Sequence, residues 1–223
     1  DADFTGMTFG RIDQSIAMGA LFTAHHLGCK AIVALTDSGS TPLWMSQGTW
    51  LAIANETWTP HQHLLNVARD GDTIDMGSLQ IKPFTVPHDA REPLQLRCTD
   101  GHRHLGVITD LGHVSSHVVA SLQGCHALLL EANHDPDLLQ ASAYPSFLKQ
   151  RVAGAWGHLA NHAAADLLAR VKHDQLSCVL AAHLSERNNT PELARTSLCE
   201  AMGCSPLDID VADPLTGSDW LVV

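Results

Sequence analysis

The feature that most limits the fold is a pattern repeated through the second half of the chain. Four apolar runs each lead to one chemically competent polar residue: KPFTVP to His88, GVIT to Asp110, ALLL to Glu131 and CVLAA to His183. Short apolar, β-branched runs bounded by turn residues read as buried strands. Between and after them, helices are expected at 115–123, 137–152, 158–172 and 190–203, the last with Thr190 as N-cap and Pro191 in its first turn. Strands alternating with helices give the class α/β. In layered α/β folds, ligands gather outside the carboxyl ends of the strands. The pattern that sets the fold therefore also says where a site should lie.

The remaining segments are read the same way. Residues 11–27 carry a helical stripe stopped by Gly28, and 30–36 (KAIVALT) form a short buried strand. DSGST (37–41) is a turn, and PLWMS (42–46) suits either a short strand or a helix start. The region 61–69 reads as helical. Two strands flank the Gly77–Ser78 turn, and 207–213 and 220–223 close the chain as strands.

Composition narrows the function. The 223 residues carry a formal net charge of −11 with histidine neutral. A protein that holds nucleic acid by charge alone would be basic, so no broad basic face is expected. Fifteen histidines in an acidic chain favour a metal site, although most should be surface or packing residues. The six cysteines form no CxxC pair, which excludes a zinc ribbon and suits reduced thiols in a cytoplasm. No apolar run reaches about 18 residues, so no membrane span is expected.

His88, Asp110, Glu131 and His183, brought together, suit zinc, manganese or a similar cation. His158, in GHLAN, joins them from a loop ahead of a helix. Any one of these residues alone reads more simply as a satisfied polar group, but as a set they point to a site. The pairs His61/His63 and His102/His104 lie in polar stretches and read as surface residues. Arg187, four residues after His183, reads as a solvated cap or, beside a metal, as a phosphate clamp.

The ordered run VPHDA, GVITDLG, LLLEANHD, YPSFLKQRV, GHLAN and AAHLSERNN, within about 48–223, resembles the metallo-β-lactamase superfamily. The similarity is to its ribonuclease Z-related branch, with the WalJ-type exonuclease-like proteins as near relatives. The resemblance implies an αββα sandwich with a di-metal cleft holding zinc or manganese. It implies phosphodiester hydrolysis of nucleic acid by a metal-bound hydroxide. It makes His88 a ligand of one metal, His183 a ligand of the other, and Asp110 the bridge. His158 becomes the proton donor to the leaving oxygen, oriented by Glu131. Arg187 and Asn188 become phosphate contacts.

The sequence departs from that family in one large respect: the early HxHxDH motif is missing. In its place, residues 1–47 resemble the start of the C-terminal domain of bacterial pyruvate kinase. The TDSGST stretch there matches a loop that binds a sugar phosphate in that family, although Ser38, Gly39 and Ser40 also suit an ordinary turn. The catalytic barrel of that family is absent, so no kinase activity is expected. The chain reads as a chimera of 1–47 and 48–223, joined near 41–47, with the first half of the sandwich replaced or incomplete. Three functions compete: a nucleic-acid phosphodiesterase short of metal ligands, a non-catalytic remnant, and a sugar-phosphate-binding fragment. An incomplete sandwich should also leave apolar sheet surface exposed, or covered by a second copy in a homo-oligomer.

Overall fold

The structure is a computed structural model; it describes residues 31–33, 42–53, 59–213, 217–218, 221 and 223. The helix expected at 11–27 and the turn at 37–41 lie outside the described residues. The small sheet consists of β1 (Ala31–Val33), β2 (Leu43–Met45) and β3 (Leu65–Val67), in the order β1-β2-β3. β1 runs antiparallel to β2, and β3 parallel to it. Part of the strand expected at 30–36 is thus present, in this sheet. PLWMS takes the strand alternative as β2, and helix α1 (Gln47–Ile53) begins directly after it.

The large sheet has seven strands. β4 (Ile74–Asp75), β5 (Gln80–Thr85), β6 (Leu94–Thr99) and β7 (His104–Ile108) form an antiparallel meander. β8 (Ala127–Glu131), β9 (Cys178–Ala182) and β10 (Asp210–Val211) then add in parallel. Parallel neighbours need crossover connections, and helices supply them. These are α2 (Ser116–Leu122), then α3 (Pro136–Ala141), α4 (Ser146–Val152) and α5 (Asn161–Val171), then α6 (Pro191–Met202). Since β7, β8 and β9 are adjacent and parallel, their carboxyl ends meet at one edge of the sheet.

The two faces of this sheet are covered differently. Ile108, Leu128, Leu130, Val179 and Ala181 pack under Val118, Leu122, Leu167, Leu168 and Leu198 from the helices. On the other face, Ile81, Leu94, Cys98, Leu105 and Ala127 meet Ala68, Val223 and Trp44 of the small sheet. Strand residues two apart share a face, so Leu129 lies on this side with Ala127. Leu96, Val107, Leu129 and Cys178 are only half-buried there.

Several local expectations change. Residues 61–69 are not an α-helix: Thr59–Leu64 is a 3-10 turn, and Leu65–Val67 become β3 because they find β2 as a partner. The helix expected over 137–152 is two, because Pro145, which has no N–H to donate, sits at the N-cap of α4. α5 starts at Asn161 rather than 158, and the preceding Ala160 forms a parallel bridge with His134. Leu221 and Val223 are not in a strand. Residues 94–99, not expected as an element, form a full strand with Leu94, Leu96 and Cys98 at period two. Thr190 caps α6 by accepting from Leu193 N–H, with Pro191 following, as read from the sequence.

Candidate metal centre

Asp110 and His183 stand just beyond the carboxyl ends of β7 and β9, with φ of 54° and 58°. This left-handed conformation is unfavourable for a residue with a Cβ and costs about 1–3 kcal/mol where it occurs. Neighbouring bonds hold both residues in place. The Gln95 side chain on β6 accepts from Thr109 N–H at 3.2 Å and donates to the Thr109 carbonyl, so the backbone next to Asp110 is clamped on both sides. Leu111, fully buried, donates its N–H to Glu131 Oε2 at 2.6 Å. Asn133 Nδ2 donates to the His183 carbonyl at 2.8 Å.

Glu131, at the end of β8, has no exposed surface. Its Oε1 lies 2.9 Å from His158 Nδ1 and 2.8 Å from His183 Nδ1. With both Nδ1 atoms donating, each neutral ring carries its lone pair on Nε2, the form a metal takes. Burial alone would raise the Glu131 pKa, but the hydrogen bonds from His158 and His183 outweigh it and the carboxyl sits below its ordinary range. His158 shows the converse. Burial disfavours its charged form, yet the Glu131 bond and charge raise its pKa.

His88 enters from the far side. Its Nδ1 is 2.9 Å from the Gly157 carbonyl and so donates, leaving Nε2 as the acceptor. That Nε2 is 3.9 Å from Asp110 Oδ1, while His158 and His183 Nδ1 are 3.7 and 3.5 Å from the same oxygen. The ring centroids of His88 and His158 are 5.3 Å apart, and those of His158 and His183 are 5.2 Å apart. Three imidazoles therefore surround one carboxylate. Asp110, Glu131, His158 and His183 each offer a ligand atom within 4.8 Å of one another. Two ligands on one tetrahedral zinc at about 2.0–2.2 Å stand roughly 3.3–3.6 Å apart. The donor types, histidine and carboxylate, suit a divalent cation.

The other sequence candidates fall elsewhere. His102 is exposed, and His104 sits at the opposite end of β7 from Asp110, stacked on His126. His63 is exposed, and the side chain of His61 lies outside the described residues. Arg187 is exposed in the turn after His183. Asn188 is buried: its side-chain Nδ2 donates to Ser185 Oγ at 3.1 Å and its backbone carbonyl accepts from Asp135 N–H at 2.8 Å.

Sequence reasoning did not single out the supporting residues. Gln95 is one. The buried pair Asn161 and Asn189 is another, bonded amide to amide at 2.8 Å in both directions, with Asn189 also donating to the Ala132 carbonyl at 2.7 Å. This pair ties the start of α5 to the turn after β9 and the end of β8. The only signal was position: both asparagines end the GHLAN and SERNN runs. Beside His158 opens a cleft of about 420 Å³, with His134, His162, Leu139, Lys149 and Gln150 on its walls.

The fold agrees with known proteins. Residues 14–49 match the family described as pyruvate kinase, alpha/beta domain. The chain is 36% identical over 158 residues to exodeoxyribonuclease YycJ of Bacillus anthracis, covering 67% of this chain and 60% of that protein. It is 29% identical over 174 residues to exodeoxyribonuclease WalJ of Streptococcus pneumoniae, covering 76% and 64%. Zn(2+)-bound PqqB from Methylobacterium extorquens superposes with a TM-score of 0.57 at 16% identity, over 82% of this chain and 65% of that one. The metallo-beta-lactamase fold protein YhfI from Bacillus subtilis gives 0.53 at 12% identity, over 70% and 55%. The chain carries a metallo-β-lactamase fold. It spans about 60–64% of the length of the curated relatives it matches. Within that fold, the residues described above occupy the carboxyl edge of the large sheet. Among the described residues, no helix is long and apolar enough to cross a membrane.

Proposed function

We propose that residues 48–223 form the metal-binding part of a hydrolase of nucleic-acid phosphodiesters. The observation that carries this reading is Glu131 holding His158 and His183 around Asp110, with His88 closing the far side. His88, Asp110 and His183 would hold the cation, zinc before manganese given the nitrogen-rich set and the zinc-bound PqqB likeness. A bound cation would supply Lewis-acid chemistry, polarising a phosphoryl oxygen and offsetting its developing charge. In its protonated form, favoured by the raised pKa, His158 keeps its Nδ1 proton on Glu131 and presents an Nε2 proton to the leaving oxygen. Arg187 meets the phosphate from the exposed turn, while buried Asn188 keeps that turn in shape. The names of the YycJ and WalJ relatives support DNA as the polymer. The five described cysteines are all free thiols, which supports a cytoplasmic setting.

The HxHxDH motif is absent from the sequence, and with it four ligands in this family. Metal analysis of the purified protein should find at most one firmly bound equivalent, lost in both Asp110→Asn and His183→Ala. A nuclease assay with added Zn²⁺ or Mn²⁺ should show turnover no higher than the His183→Ala background. Absence of any metal binding would refute the site. Robust turnover abolished by His183→Ala would show that the ligand set present is sufficient.

A further inference from the structure

His134 forms part of the wall of the cleft beside His158, yet only 2% of it is exposed. The chemistry proposed above gives it no role. Its backbone is fixed on both sides. The His134 carbonyl accepts from Asn161 N–H at 2.9 Å. Asn133 N–H donates to the Leu159 carbonyl, and Asp135 N–H to the Asn188 carbonyl, both at 2.8 Å.

The ring is fixed in its tautomer as well as in its place. Asn133 Nδ2 donates to the His183 carbonyl at 2.8 Å, which orients the amide and leaves its Oδ1 as an acceptor. That oxygen lies 3.4 Å from His134 Nδ1, so Nδ1 carries the hydrogen and Nε2 the lone pair. Burial pushes the pKa of the ring down to about 4, which keeps it neutral at pH 7. Among the described residues, no group donates to Nε2. The buried side-chain atoms left without a partner are elsewhere, at His104 Nδ1 and Asn188 Oδ1. His134 Nε2 is therefore reached from the open cleft. A neutral lone pair there bonds an O–H or N–H group and has nothing to offer a phosphate oxygen.

We infer that His134 Nε2 accepts a hydrogen bond from an O–H or N–H group of the nucleoside on the leaving-oxygen side, which makes His134 a specificity-determining residue of the cleft. This rests on the phosphodiesterase reading, in which His158, on the wall of the same cleft, protonates the leaving oxygen. The cleft measures about 420 Å³. Small-molecule sites run from about 300 to 1,000 Å³, so a single nucleoside is a suitable occupant. A site built around a buried acceptor selects against a ligand that lacks the donor, because the lone pair then goes unpaired.

The test is nucleoside binding, followed without added metal by NMR of the full chain labelled with nitrogen-15 at histidine. The His134 Nε2 signal is identified by its absence in His134→Gln. Thymidine should move this signal upfield, as an imidazole nitrogen does when it accepts a hydrogen bond. Three analogues each remove one donor: 3′-deoxythymidine, 5′-deoxythymidine and N3-methylthymidine. One of them should bind about five- to tenfold more weakly than thymidine and leave the His134 signal in place, which separates a sugar hydroxyl from the base N–H as the source. The other two should match thymidine within about twofold. His134→Phe should lose the same factor for thymidine and none for the discriminating analogue; if it does not fold, the wild-type series decides alone. No binding of thymidine at millimolar concentration, binding that leaves the His134 signal unmoved, or equal affinity for all four nucleosides would overturn the inference. Metal binding is measured separately. Its failure would sink the hydrolase reading and leave the thymidine result standing, whereas intact metal binding with an unmoved His134 signal would sink this inference alone.

Discussion

Glu131 Oε1 lies 2.9 Å from His158 Nδ1, with the carboxylate wholly buried and the imidazole facing the cleft. The same oxygen is 2.8 Å from His183 Nδ1, and its partner oxygen accepts the Leu111 N–H. One side chain therefore joins the ends of β7, β8 and β9 with the loop before α5. Removing it leaves a buried N–H and two imidazoles without their acceptor. Loss of one partner in such a buried network costs about 3–5 kcal/mol. For a chain of this size, Glu131→Ala should lower Tm on the order of 10 °C. Glu131→Gln, which keeps one acceptor oxygen but places an NH₂ against a donating Nδ1, should fall between. An unchanged Tm in Glu131→Ala would show that the network is not structural.

Gly157 tests the same site from the backbone. A Cβ there would fall on the carbonyl oxygens of Arg151 and Val152, which cannot swing away as a flexible side chain could. Its own carbonyl orients His88. Gly157→Ala should cost about 1–3 kcal/mol in urea unfolding. It should also release the bound metal equivalent, because His88 shifts with the Gly157 carbonyl that orients it. Retention of metal at wild-type affinity would count against His88 as a ligand.

His134 gives a pH dependence. It is buried, and burial pushes its pKa down to about 4, from about 6.5 in an unfolded chain. Between these values the unfolded state binds the extra proton. Its contribution to stability is therefore complete above about pH 6.5 and is lost as pH falls towards 4. The loss should amount to about 3 kcal/mol. Urea unfolding across this range should show it, and His134→Gln should flatten the slope. A variant with the same slope as the wild type would assign the effect to other groups.

Cys98 and Cys125 should be inert. Burial raises their pKa to about 12 and about 11, so little thiolate exists at neutral pH. Native protein treated with iodoacetamide should remain unmodified at both positions, and urea-unfolded protein should react. Mass spectrometry separates the outcomes, and fast native labelling of either would contradict the packing around it.

The sequence by itself determined the parallel half of the sheet and the residues at its carboxyl edge. GVIT, ALLL and CVLAA are runs apolar enough to be strands only if buried, and each ends where a polar side chain must leave the core. That local rule needs no knowledge of the partner strand. It also determined the Thr190 cap, which depends on atoms three residues away. What it could not decide were features set by partners distant in the chain. Leu65–Val67 became a strand because β2 was available, against a helical reading of 61–69. Gln95, which shows as one polar residue in LQLRCT, became a clamp on Thr109 only when β6 folded beside β7. The convergence of His88, Asp110, His158 and His183 on one point was decided the same way. Spacing along the sequence places each at an element's end, but only strand order and the two left-handed residues, Asp110 and His183, aim them at each other.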